Sequence, residues 1–176
     1  MFLDLPTQEE TVDICKFPTG KSAGYDNIPM SIIKRSINSI FSPLTHIVNL
    51  SIIHGIVPNE LKIVRVVSIF KSGDKALFSN YRPISVVPCF SNILKRIIYN
   101  HVINYLNDFN VLCDNRYGFR KYRSPSLALI DLCNINSSAF DRREHAIGVL
   151  LDLSIAFDTV NHDILFDQLE HYGIRA

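Results

Sequence analysis

The sequence predicts a mixed α+β fold, and three observations carry that reading. Helical apolar stripes are interspersed with short β-branched runs rather than grouped. Hydrophobic residues make up 47% and charged residues 20% of 176 residues, a globular composition able to bury a core. No apolar run approaches the ~18 residues of a membrane span.

Residues 8–16 read as a short helix ended by Pro18-Thr19-Gly20. The stretch Lys21-Ser22-Ala23-Gly24-Tyr25-Asp26-Asn27-Ile28-Pro29 is dense in turn formers and predicts a structured loop or a helix-entry turn. Met30, Ile33, Ile37, Ile40 and Phe41 predict a helix over 29–40. Leu44, Ile47, Val48 and Ile52 predict a second over 43–54, with Gly55 as its stop and Pro58 beyond. The run Ile63–Phe70 is short and β-branched, a strand. Lys71-Ser72-Gly73-Asp74 then turns the chain. Phe90, Ile93, Leu94, Ile97, Ile98 and Val102 begin the clearest amphipathic helix, over 90–109. Another helix is expected from Pro125 to about residue 138, and a last one from near Asn161 to Gly173. Between them, Ala146–Leu151 is continuously apolar and suits a buried strand that ends on Asp152.

Charge is segregated along the chain. The balance is −2 over residues 1–61, +8 over 62–123 and −5 over 124–176. The middle block has the character of a polyanion-facing surface, and the last could hold cations. Cys15, Cys89, Cys113 and Cys133 lie far apart, without metal spacing or a disulfide framework. The opening MFLDLPTQEETV does not have the pattern of a signal peptide. The expected compartment is intracellular, nucleus or cytoplasm.

Three constellations bear chemistry. A carboxylate at the end of a buried strand needs a partner, so Asp152 fits either a divalent-cation ligand or a cap on the next turn. Lys71 and Arg82 flank a Gly-containing turn; in a hairpin both cations converge on one anion, and otherwise they are two solvated charges. Arg116-Tyr117-Gly118-Phe119-Arg120-Lys121-Tyr122-Arg123 interleaves cations with aromatics. That pattern suits nucleic acid, with phosphate contacts and base stacking, or a basic turn with its rings packed inward.

Taken in order, these motifs resemble the reverse transcriptase domain of non-LTR, jockey-like retrotransposons. The resemblance runs from Lys21 to Gly173 through Lys21–Pro29, Phe70–Lys75, Asn80-Tyr81-Arg82-Pro83-Ile84-Ser85, Tyr117-Gly118-Phe119-Arg120 and Leu151–His162. It implies the fingers and first part of the palm of a right-hand polymerase, truncated, over 62–176, with fingers to about 145 and palm from about 146. Residues 1–61 would be an N-terminal helical extension. By the same resemblance, Asp152 is a catalytic aspartate and metal ligand, and the Leu153 carbonyl is a further metal contact. Lys71 and Arg82 grip the incoming deoxynucleoside triphosphate, and Phe157 is the gate under its sugar. Gly118, Phe119, Arg120 and Arg123 face the nucleic acid. The implied cofactor is Mg²⁺, used as a pair, and the implied partners are an RNA template and a DNA primer.

The chain departs from the family pattern in several places. Arg116, Tyr122, Pro125 and Ile155 stand where Gln, Gly, Thr and Lys are usual. No Asp-Asp dipeptide occurs. One aspartate cannot hold two dications, so the expectation is a chain inactive by itself, lacking the remaining palm and thumb and with an exposed sheet edge. The rival expectation is a non-catalytic nucleic-acid-binding remnant of a mobile element.

Overall fold

The structure, a computed structural model, describes residues 5–15, 22–153, 156–157 and 159–174. Lys21, Ser154, Ile155 and Asp158 of the sequence motifs lie outside the described residues. The mixed α/β architecture holds, with helices and, among the described residues, one two-stranded antiparallel sheet. Two compact units divide the chain, Met1–Asn104 and Tyr105–Arg175.

The first unit opens with α1, Gln8–Cys15. Its N-terminus is fixed by the Thr7 hydroxyl, which accepts the Glu10 N–H at 3.1 Å. Thr11 is fully buried and satisfies its own hydroxyl on the Thr7 carbonyl at 3.0 Å. Helix α2 then runs without a break from Met30 to His54, with Pro43 inside it. The two helices expected from the sequence are therefore one. Pro43 removes a backbone donor, a local cost of about 3 kcal/mol. Burial on both sides outweighs it: Met30 and Ile33 before it, and Leu44 and Val48 after it, all sit in the core. The helix stops at Gly55, as the spacing predicts.

After the short α3, Asn59–Lys62, strand β1 spans Arg65–Phe70 and strand β2 spans Tyr81–Val86. They pair antiparallel, with Phe70 opposite Tyr81 and Arg65 opposite Val86. Helix α4, Cys89–Asp108, buries Cys89, Ile93, Leu94 and Ile97 against Met30, Ile33, Leu44 and Val48 of α2. This is the core of the unit. Residues of the expected N-terminal extension and of the expected fingers thus share a single core.

The loop 22–29 is tied into that core. A Cβ on Gly24 would lie 2.7 Å from the backbone of Pro88, so only glycine permits this approach. Asp26 Oδ1 accepts the Ile28 N–H at 3.2 Å, the Tyr25 hydroxyl donates to the Glu60 carbonyl at 3.1 Å, and Arg65 donates to the Ala23 carbonyl at 2.9 Å.

The second unit holds α5, Pro125–Asp141, and α6, His162–His171. Ser124 caps α5 by accepting the Leu127 N–H, and Asn161 caps α6 by accepting from Asp163 and Ile164. The Tyr105 hydroxyl donates to the Tyr172 carbonyl at 2.9 Å, fastening the end of α6.

A second element also differs from expectation. Residues 146–151 form no strand, and Ile147, Val149, Leu150 and Leu151 are 78–95% exposed. An apolar run has the propensity for a strand, but a strand needs a neighbour to take up its ladder bonds. Among the described residues the only ladder is β1–β2, and it does not include this run. Asp152 consequently sits in an exposed loop and not at the end of a buried strand.

Candidate functional site

The hairpin positions the first two candidate residues. Arg82 pairs with Ile69 in the ladder, and the Lys71 N–H extends that ladder by donating to the Asn80 carbonyl at 2.8 Å. Side chains two apart along a strand share a face, so Lys71, Ile69 and Arg82 lie on one side of the ribbon. Lys71 and Arg82 are then diagonal neighbours, about 7–8 Å apart in ordinary ladder geometry. Both are exposed. Pro83 falls opposite Ser68, between the hydrogen-bonded pairs, where its missing N–H costs the ladder nothing.

The turn between the strands is held by its own polar groups. Asp74 Oδ1 accepts the Ala76 N–H at 2.9 Å, and its carbonyl accepts from Asn80 Nδ2 at 2.8 Å. The Tyr81 hydroxyl donates to the Lys75 carbonyl at 3.0 Å. Gly73, at φ +93°, lies so close to Asn80 that a Cβ would meet Nδ2 at 2.8 Å. Phe70 and Tyr81 pack edge to face, 5.5 Å between centroids, with Lys75 Nζ 5.8 Å from the Phe70 ring. Two cations thus project from a braced hairpin, an arrangement suited to a polyanionic group such as a triphosphate.

The basic–aromatic loop in the second unit is braced from within. The Tyr117 hydroxyl donates to Asp131 on α5. That hydrogen bond, with desolvation and the Asp131 charge, pushes the Tyr117 phenol above its ordinary value, while Arg123 opposes the shift. Arg123 lies 5.5 Å from the centre of the Tyr117 ring and 3.9 Å from Asp114. Arg120 donates to the Cys113 carbonyl at 2.9 Å. Arg120 and Arg123 are half-buried braces, whereas Arg116, Lys121 and Tyr122 are exposed. Gly118 is exposed, and Phe119 is held at φ 58° with its ring outward.

Phe157 is exposed, and its ring meets Phe119 edge-on with 6.4 Å between centroids. The structure therefore brings together two candidates from distant motifs. Asp152 and Leu153 are exposed. Among the described residues no three His, Cys, Asp or Glu side chains gather where a metal ion could be held. These residues alone do not fit a pair of Mg²⁺ ions.

Two features had no sequence signal strong enough to find them. Asp131 anchors Tyr117 across 14 residues, a separation with no motif rule. The Phe119–Phe157 contact joins segments that only folding brings together. Gly24, by contrast, announced itself as a glycine within a turn-rich run.

Residues 69–176 match the family described as reverse transcriptase (RNA-dependent DNA polymerase). The chain belongs to the reverse transcriptase family. It is 28% identical to the "Probable RNA-directed DNA polymerase from transposon BS" of Drosophila melanogaster, over 94% of this chain and 19% of the relative. It is also 28% identical to the RNA-directed DNA polymerase from mobile element jockey of the same fly, over 91% of this chain and 18% of the relative. The jockey polymerase of Drosophila funebris is 26% identical over 90% of the chain. The likeness to non-LTR retrotransposon polymerases read from the motifs therefore holds. The chain spans about a fifth of the length of these curated reverse transcriptase relatives.

Proposed function

We propose that this chain forms the nucleotide-gripping fingers and the first part of the palm of an RNA-directed DNA polymerase from a non-LTR mobile element. The observation that carries the reading is the placement of Lys71 and Arg82 on one face of a braced hairpin. In this role the two cations hold the triphosphate of an incoming deoxynucleotide, Lys as a point charge and Arg as a fork. Within the second unit, the outward rings of Phe157 and Phe119 and the loop 116–123 with Gly118 offer a stacking surface to the RNA template and DNA primer. Asp152 contributes one carboxylate toward Mg²⁺, and the other oxygen ligands come from outside the described residues.

The grip is tested by titrating inorganic triphosphate into the chain and into Lys71→Ala and Arg82→Ala variants by calorimetry. Each variant is expected to bind at least tenfold more weakly, since each removes a charge-assisted contact of about 1.5–3 kcal/mol. Unchanged affinity in both variants overturns the assignment. Catalysis is tested separately: primer extension by this chain with Mg²⁺ is expected to stay at background, because one carboxylate does not hold two dications. Robust incorporation would show that the metal site is complete without further residues.

A further inference from the structure

The tip of the hairpin carries a feature that the triphosphate grip does not use. Phe78 is 94% exposed and Leu77 beside it 54% exposed, on a short 3₁₀ turn of Phe78–Asn80. Among the described residues Phe78 is the most exposed aromatic ring, and Leu77 beside it widens the apolar surface at the tip. The turn beneath it is rigid. Leu77 N–H donates to the Asp74 carbonyl at 3.3 Å and Asn80 N–H to the Leu77 carbonyl at 3.1 Å, in addition to the Asp74, Asn80 and Tyr81 side-chain bonds. The ring is presented from a fixed frame, so little order is lost when something settles on it.

The surroundings indicate what that something is. Residues 62–86 carry Lys62, Arg65, Lys71, Lys75 and Arg82 against one carboxylate, Asp74, which already accepts the Ala76 N–H. An exposed aromatic face amid an excess of cations complements a strand with an anionic backbone and unpaired bases. A protein partner with an apolar anchor would need no such charge. We infer that Phe78 is a stacking platform for an unpaired base of single-stranded nucleic acid, with Lys75, in the same turn, available to a flanking phosphate. This inference rests on the nucleic-acid reading above and extends it to the hairpin tip.

The test uses a single-stranded RNA oligonucleotide with 2-aminopurine at successive positions, titrated into the full chain. Stacking on Phe78 is expected to quench one position. Phe78→Ala and Phe78→Leu are expected to abolish that quench and weaken binding about tenfold, whereas Phe78→Trp retains both. Because the side chain is almost wholly in solvent, its truncation leaves the fold intact, checked by circular dichroism. Equal quenching and affinity in Phe78→Ala overturn the platform while leaving nucleic-acid binding in place. If the unaltered chain does not bind the oligonucleotide at all, the parent reading fails and the platform with it. If Phe78→Leu binds as well as the unaltered chain, the contact is merely apolar and the stacking assignment is wrong.

Discussion

Gly24 shows how one missing side chain sets the geometry of a neighbourhood. With a Cβ 2.7 Å from Pro88 backbone atoms, which cannot swing aside as a flexible side chain could, Gly24→Ala must displace one segment or the other. The expected loss is about 1–3 kcal/mol, read as a lower denaturant midpoint at unchanged slope. Tyr117 offers a different kind of test. Its phenol is held neutral chiefly by the hydrogen bond to Asp131, so it is expected to ionise above the ordinary value of 10.0. The contribution to stability is whole below the unfolded phenol's pKa and fades as pH rises through the raised one. Difference absorbance titration against Tyr117→Phe isolates this group among the tyrosines. Asp131→Asn is expected to bring the ionisation back down, and an unmoved titration would remove Asp131 as the cause.

Helix α2 makes the case for packing over propensity. Pro43 is exposed and contributes no core contact, yet it interrupts the backbone bonding of a continuous 25-residue helix. Pro43→Ala is accordingly expected to raise stability by about 1–3 kcal/mol, measured by the same denaturant midpoint. The sequence made α4, β1 and α6 readable, since each is announced by local periodicity, β-branching or a capping residue. The continuity of α2 was not readable, because a proline's local penalty is visible in the chain and the burial that overrides it is not. Residues 146–151 illustrate the opposite error: an apolar run reveals what a segment prefers but not whether a neighbour exists to pair with it. At the candidate site, the sequence offered a shared face for Lys71 and Arg82 only on condition of a hairpin between them, which the β1–β2 ladder supplies. It gave no sign of the network around Tyr117.

Across the molecule, the segregation of charge sets how it meets its partners. A middle block with a balance of +8 predicts binding to single-stranded RNA that weakens steeply with salt, each neutralised phosphate adding about 0.7 to the log–log slope. Removing Lys121 and Arg116 together, the two exposed cations of the loop, is expected to flatten that slope by about one unit or more. An unchanged slope would move the contact elsewhere. The exposed run 146–151 predicts concentration-dependent self-association, which Leu150→Lys is expected to relieve in light scattering without altering the helical signal. Finally, the seam between α2 and α4 has a practical corollary. The match to the reverse transcriptase family begins at residue 69, whereas Cys89, Ile93 and Ile97 are buried against Met30, Ile33, Leu44 and Val48. An expression clone started at that homology border would strip α4 of its cover, and the outcome to expect is insoluble product rather than a smaller working piece.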